Sequence, residues 1–288
     1  MAEETIGGYR LVNLMYPGQN SQVWEVVELS SHRHFAMKLL LPEKAGGEHR
    51  RFLLHEAKVG KQMAHANVIR IINVSTDKKT PFIVMEYFPA GSLKQRMIRK
   101  QTDFIKENCH SILKQAATAL AYINASGWVH RDVKPDNILA NSAGEVRIID
   151  FALAQRVGEK QGFLSRLIRG RRPVQGTRSY MSPEQIRGLA LDGRADVYSF
   201  AAAAYEITTG RPPFRAVSGG DLLNKHIGEK AGTPQIYNPD LTDEFSALIL
   251  RMLEKKPEAR PRDFHEVLMS LKTIKVFKSD VATKTEER

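Results

Sequence analysis

Eight consecutive residues, His130-Arg-Asp-Val-Lys-Pro-Asp-Asn137, gather a carboxylate, an ammonium and a carboxamide, and a further acid, Asp150, follows downstream. Carboxylate and amide oxygens are hard donors of the kind that Mg²⁺ takes, with Mn²⁺ an alternative. A carboxylate left outside the metal shell can orient a hydroxyl and accept its proton. An ammonium close by neutralises charge on an anionic group in transfer. Together these groups suit a divalent cation and a polyphosphate.

Such groups act in concert only on a scaffold that fixes their distances. Ile112, Ala116, Leu120 and Ile123 recur at helical spacing and predict a helix from about Lys106 to Ser126, stopped by Gly127. Two short strands follow the eight-residue run, Ile138 to Ala140 and Val146 to Ile149, with the turn Asn141-Ser-Ala-Gly144 between them. Upstream, Tyr9 to Leu14, Val23 to Leu29 and His34 to Leu40 read as strands and Arg51 to Gly60 as an amphipathic helix, while Pro81 to Leu93 runs from a buried strand into a Pro/Gly link. Downstream, Asp192 to Ile207 is apolar nearly all round, the mark of a buried helix. Thr208 to Phe214, Asp221 to His226 and Leu241 to Leu271 fit further helical segments. The charged tail from Thr273 to Arg288 is expected to fray.

A chain of 288 residues can bury one large core or two lobes. Its 43 basic residues against 32 acidic ones leave a net charge of +11, which suits acidic substrates or an acidic partner; no nucleic-acid motif accompanies it, so no nucleic acid is expected. No run approaches the roughly 20 apolar residues that span a bilayer. Met1 to Tyr9 lacks the basic-then-apolar order of a signal peptide. The single cysteine, Cys109, leaves no internal disulfide to form and reads as a packed thiol. A cytoplasmic protein is expected.

The full run from His130 to Asn137, with Asp150-Phe151 at hairpin distance, resembles the catalytic loop and metal-binding motif of protein kinases. Further stretches agree in order and spacing over about residues 9 to 272, and the chain is similar to the eukaryotic-like Ser/Thr protein kinases in their bacterial form. The resemblance implies an α+β, two-lobed fold. An extension, 1–8, would precede a small antiparallel β lobe, 9–88, with one helix. A larger, mainly helical lobe, 89–272, would hold the catalytic loop, 130–137, and the activation segment, 150–184, before a charged tail, 273–288. It implies transfer of the γ-phosphate of ATP to serine or threonine hydroxyls of proteins. Asp132 would position the hydroxyl and accept its proton, Lys134 would neutralise the transferring phosphoryl group, and Asn137 and Asp150 would hold Mg²⁺ (or Mn²⁺) against the nucleotide phosphates.

The same resemblance gives the ATP site. Lys38 would pair with the phosphates and Glu56 with Lys38, while Tyr16, Gly18, Ser21 and Val23 would form the loop over the phosphates. Met85 would lie behind the adenine and Glu86 to Phe88 would offer it backbone hydrogen bonds, with Ala36 and Leu139 completing the site. Thr177 with Lys134 matches the Ser/Thr-directed type, Glu184 would pair with Arg260, and Asp196 would anchor the catalytic loop through its backbone. Arg131 marks kinases whose activation loop is ordered by a bound phosphate; Ser165 and Thr177 are the candidate regulatory hydroxyls.

The chain also departs from the pattern. Tyr16 and Ser21 stand where the phosphate loop has its first and third glycines, which predicts a stiffer loop. Gly60 stands where a bulky residue would stack on Phe151, predicting a mobile helix around Glu56, and Ala152 replaces the glycine of Asp-Phe-Gly, where positive φ would be costly. Residues 151 to 175 carry six basic residues (Arg156, Lys160, Arg166, Arg169, Arg171, Arg172) against the one acid Glu159, a charge fit for an acidic regulatory partner. Phe163-Leu164 and Leu167-Ile168 allow a short basic amphipathic helix, with membrane contact the less favoured use. These departures keep open a second reading, a nucleotide-binding scaffold with weak or no transfer. A small-molecule phosphotransferase fits less well, because Gly176 to Glu184 suits an extended polypeptide.

Overall fold

The computed structural model describes residues 4–159 and 177–280. The chain divides into two units, Met1–Ala90 with Ile149–Leu153, and Gly91–Ile148 with Ala154–Arg288.

The first unit is a six-stranded antiparallel sheet with one helix. Its strands are β1 (Thr5–Ile6), β2 (Tyr9–Pro17), β3 (Ser21–Glu28), β4 (His34–Leu40), β5 (Ile71–Ser75) and β6 (Phe82–Glu86), in the order β1-β2-β3-β4-β6-β5. Tyr9, Val26, Phe35, Met37, Phe82 and Val84 form the core of one face, with the Tyr9 ring edge-on to Phe35 and Phe82. β1 belongs to the sheet although its residues read as an extension. The turn joining it to β2 is Gly7-Gly8, both at left-handed φ (57° and 87°), and a Cβ on Gly7 would sit 2.4 Å from the Phe82 ring. Helix α1 (Gly47–Gly60) buries Leu53, Glu56, Ala57, Val59 and Gly60 and packs beside β5 and β6.

The second unit is mainly helical. Its helices are α2 (Leu93–Ile98), α3 (Thr102–Ala125), α4 (Pro183–Arg187), α5 (Gly193–Thr209), α6 (Gly219–Gly228), α7 (Asp243–Met252) and α8 (Phe264–Thr273). Short strands β7 (Gly91–Ser92), β9 (Ile138–Ala140) and β10 (Val146–Ile148) pair in the order β10-β9-β7, and β8 (Trp128–Val129) pairs with β11 (Gln155–Arg156). Helix α5 is buried at every residue from Ala195 to Thr208. The Asp192 carboxylate caps its start by accepting from the Arg194 N–H at 2.9 Å, and Gly210 in the left-handed region stops it. Cys109 is buried in α3, and burial pushes its thiol up to about 12.

Two expectations for this unit are corrected. No helix runs from Thr208 to Phe214; Thr208 and Thr209 finish α5, and Gly210 turns the chain away. The tail does not fray at once after α8. Val276 and Phe277 are buried, Phe277 bridges Leu241, and the Thr242 N–H donates to the Val276 carbonyl at 3.1 Å. Two apolar side chains in a charged run suffice to dock it as far as Asp280. Among the described residues no helix is long and apolar enough to cross a membrane.

Candidate active site

The 130–137 run lies in the second unit, between β8 and β9, and its shape is imposed from beneath by α5. The Asp196 carboxylate accepts the His130 N–H at 2.8 Å and the Arg131 N–H at 2.9 Å. Asn124, in the last turn of α3, donates to the same carboxylate at 2.9 Å and to the Trp128 carbonyl at 2.9 Å. Burial pushes the Asp196 carboxyl up, against the pull of His130 and of these N–H donors. Arg131 takes a left-handed φ of 68°, a conformation that the two anchored amides over-determine. Its carbonyl accepts from the Gln185 side chain at 3.0 Å, which ties the loop to α4.

Within the loop the reactive groups touch. Lys134 Nζ lies 2.6 Å from the Asp132 carboxylate. The Asn137 amide donates to the Asp132 carbonyl at 2.8 Å and to its carboxylate at 2.9 Å. Asn137 therefore fixes the Asp132 rotamer and keeps its own amide oxygen as an acceptor for something else. Arg131 is buried; burial brings its guanidinium down to about 10, with Asp196 and Asp132 opposing, and among the described residues its Nε has no hydrogen-bond partner. Leu139 lies on β9, half-buried.

The remaining candidates belong to the first unit. Lys38, on β4, lies 2.6 Å from the buried Glu56 of α1 and 3.8 Å from Asp150. Asp150 sits at φ 70°, its carboxylate accepting the Ala152 N–H at 3.2 Å. The β3–β4 register sets Val23 opposite Lys38, and the β4–β6 register sets Ala36 opposite Met85. Ala36, Met85 and Phe88 are buried. The Glu86 N–H is bonded to the Arg70 carbonyl and the Phe88 carbonyl to the Ala90 N–H. Near the end of β2 Tyr16 is exposed and pairs across to Val23 of β3, and Gly18 lies in the turn that follows. Gly18 is needed there, since a Cβ would come 2.5 Å from the Ser21 carbonyl and 3.1 Å from the Tyr16 ring. Ser165 and the Thr177 side chain lie outside the described residues, as do Phe163 to Ile168.

Two departures from pattern cost less than their residue types suggest. Ile71 of β5 occupies the room beside Gly60; a Cβ on Gly60 would come 2.6 Å from Ile71 Cγ1 and 3.6 Å from the Phe151 ring. The room that a side chain at position 60 would need is thus already taken from the sheet. Ala152 is not among the residues at positive φ, so its Cβ carries no backbone strain. Asn124, Gln185 and Ile71 were not singled out from sequence. Asn124 had a signal, a polar residue at the helix end beside Gly127; Ile71 had none.

The sequence that builds this loop, a carboxylate held by an amide and an ammonium over a buried helix, has counterparts in known proteins. Residues 9–271 match the family model described as the protein kinase domain. The chain belongs to that family. It is 32% identical over 268 residues to a probable serine/threonine-protein kinase of Clostridium acetobutylicum, covering 93% of this chain and 40% of that protein. A probable serine/threonine-protein kinase of Clostridium perfringens is 34% identical over 269 residues (93% and 38%), and serine/threonine-protein kinase PknB of Mycobacterium tuberculosis 29% over 258 (88% and 40%). This chain thus spans about 40% of the length of these relatives.

The structural pair expected in this family is also present. Arg260 donates to both oxygens of Glu184, at 2.7 and 2.9 Å, with both side chains buried. Among the described residues no group of three or more His, Cys, Asp or Glu side chains could hold a metal alone.

Proposed function

We propose that this chain transfers the γ-phosphate of ATP to serine or threonine hydroxyls of proteins. The observation that carries the proposal is the Asp132–Lys134–Asn137 contact set on amides anchored by Asp196. Asp132 orients the acceptor hydroxyl and takes its proton as the oxygen attacks phosphorus. Lys134, an ammonium against that carboxylate, stabilises charge on the equatorial phosphoryl oxygens. Lys38, held by Glu56, orients the nucleotide phosphates. Asn137 and Asp150 supply the oxygen donors for Mg²⁺, which when bound neutralises phosphate charge. Arg131, buried and with no partner for its Nε among the described residues, is proposed to receive an anion from the activation segment or from an acidic partner.

The second reading, a nucleotide-binding scaffold, drew on Tyr16, Gly60 and Ala152. With Ile71 filling the room at Gly60 and Ala152 unstrained, only the glycine-poor loop still favours it. The deciding experiment is phosphate transfer from Mg·ATP to the chain itself and to a generic protein acceptor, beside Asp132→Asn. The expected result is transfer that falls by roughly 10²–10⁴ in the variant, the range for a lost general base. Nucleotide binding without transfer in the wild type would move the assignment to the scaffold.

A further inference from the structure

Beside the catalytic loop lies a second group of charges that the chemistry above does not use. Lys94, in the first turn of α2, places Nζ 2.7 Å from Oε1 of Glu206 on α5, and the other Glu206 oxygen, Oε2, accepts from the Tyr180 hydroxyl. Glu206 is buried (side chain 6% exposed), whereas Lys94 reaches the surface at 33%. Helix α2 packs on Pro135–Asn137, inside the catalytic loop. Tyr180 lies just before Ser182-Pro183-Glu184, in the segment read as the polypeptide-binding one. Burial, then Glu206, then Asp136 and Asp132 keep its phenol protonated, so it serves Glu206 only as a donor. Asp136 is exposed, and Lys134 and Lys94 are the cations that act on it.

A buried carboxylate next to the acceptor's path would attract a cation from a bound peptide; a guanidinium, with its planar fork, would be the best fit. Here Lys94 already fills that place. We propose that Lys94 is a specificity-determining residue: by occupying Glu206 it closes an arginine-accepting subsite beside the catalytic loop, so that the acceptors are serine or threonine segments without basic flanks. This rests on the transferase reading above for its meaning, but its test does not depend on turnover.

The test uses serine peptides in which one arginine is walked through an alanine background, read by fluorescence anisotropy for binding and by phosphate transfer. The proteins are wild type, Lys94→Met and Lys94→Met/Glu206→Gln. The wild type is expected to bind alanine and arginine peptides within about twofold. Lys94→Met is expected to bind at least one arginine peptide tenfold tighter or more, and the double variant to lose that gain. A merely structural ion pair would lower the melting temperature without moving peptide preference. A folded Lys94→Met with the wild-type profile, or a gain retained in the double variant, overturns the proposal. So does a wild type that itself prefers an arginine peptide tenfold, a result that stands even if the single variant fails to fold. The binding gain without transfer by any protein would sink the transferase and leave the subsite; transfer without the gain would do the reverse.

Discussion

Glu56 is the residue whose chemistry is most altered by its surroundings. Burial pushes its carboxyl up to about 7, with Lys38 opposing and Asp150 adding to the rise. The folded chain therefore holds a proton there up to about pH 7, whereas the unfolded chain releases it near the usual carboxylate value of 4.5. The contribution of this group to stability is full below pH 4.5 and is lost as pH rises through 7, at about 1.4 kcal/mol per unit. Glu56→Gln should remove that decline: denaturant midpoints measured from pH 4.5 to 8 should fall less steeply in the variant, and identical profiles would refute the assignment. At this scale the sequence was informative, because Asp132, Lys134 and Asn137 lie within six residues and their types state their chemistry. Lys94 and Glu206, 112 positions apart, gave no such signal.

The elements were legible where a pattern was local. Strands β2, β3, β4 and β6 of the small sheet, with α1 and α3, follow from alternation or helical spacing, and α5 from an unbroken apolar run, with ends displaced by a few residues; β1 and β5 were not read. What was not legible depended on contacts between distant positions: the docking of 274–280 and the meeting of Gly60 with Ile71. The second leads to a sign reversal. Glycine within a helix ordinarily costs about 1 kcal/mol relative to alanine. At position 60, however, a Cβ would stand 2.6 Å from Ile71 Cγ1, an atom near the root of a buried side chain. Gly60→Ala should therefore lower the melting temperature despite its better propensity, and a stabilised variant would contradict the packing described. The tail supports a second expectation. Deleting residues from Lys275 onward removes buried Val276 and Phe277, each worth about 1.5–3 kcal/mol by transfer, and strips the backbone partner from Thr242. Chemical denaturation should register a loss of several kcal/mol; a deletion that leaves the midpoint unchanged would show the docking to be incidental.

For the whole molecule, acid resistance is set in part by one histidine in the helical unit. His226 is buried, bonded through Nδ1 to the Tyr198 hydroxyl at 2.9 Å, edge-on to Phe214, with Lys255 on its carbonyl at 3.0 Å. Burial, with Lys255 next, lowers its pKa to about 3. The unfolded chain takes up this proton near pH 6.5 and the folded chain does not. Stability from this group is therefore complete above 6.5 and declines by about 1.4 kcal/mol per unit as the pH falls toward 3. His226→Leu should flatten the acid limb of the stability profile by one proton's worth, and an unchanged slope would place the uptake elsewhere. The opposite signs at Glu56 and His226 put the two units under different pH regimes, which composition and net charge could not disclose.

The meeting of Gly60 and Ile71 also constrains how this chain can change by descent. A lineage that placed a bulky residue at position 60 while Ile71 stayed in place would pass through an overpacked intermediate. Shrinking Ile71 first instead leaves a void costing about 2–5 kcal/mol, which a larger residue 60 could later fill. Either order passes through a destabilised intermediate, and the two sites are inherited in effect as a pair.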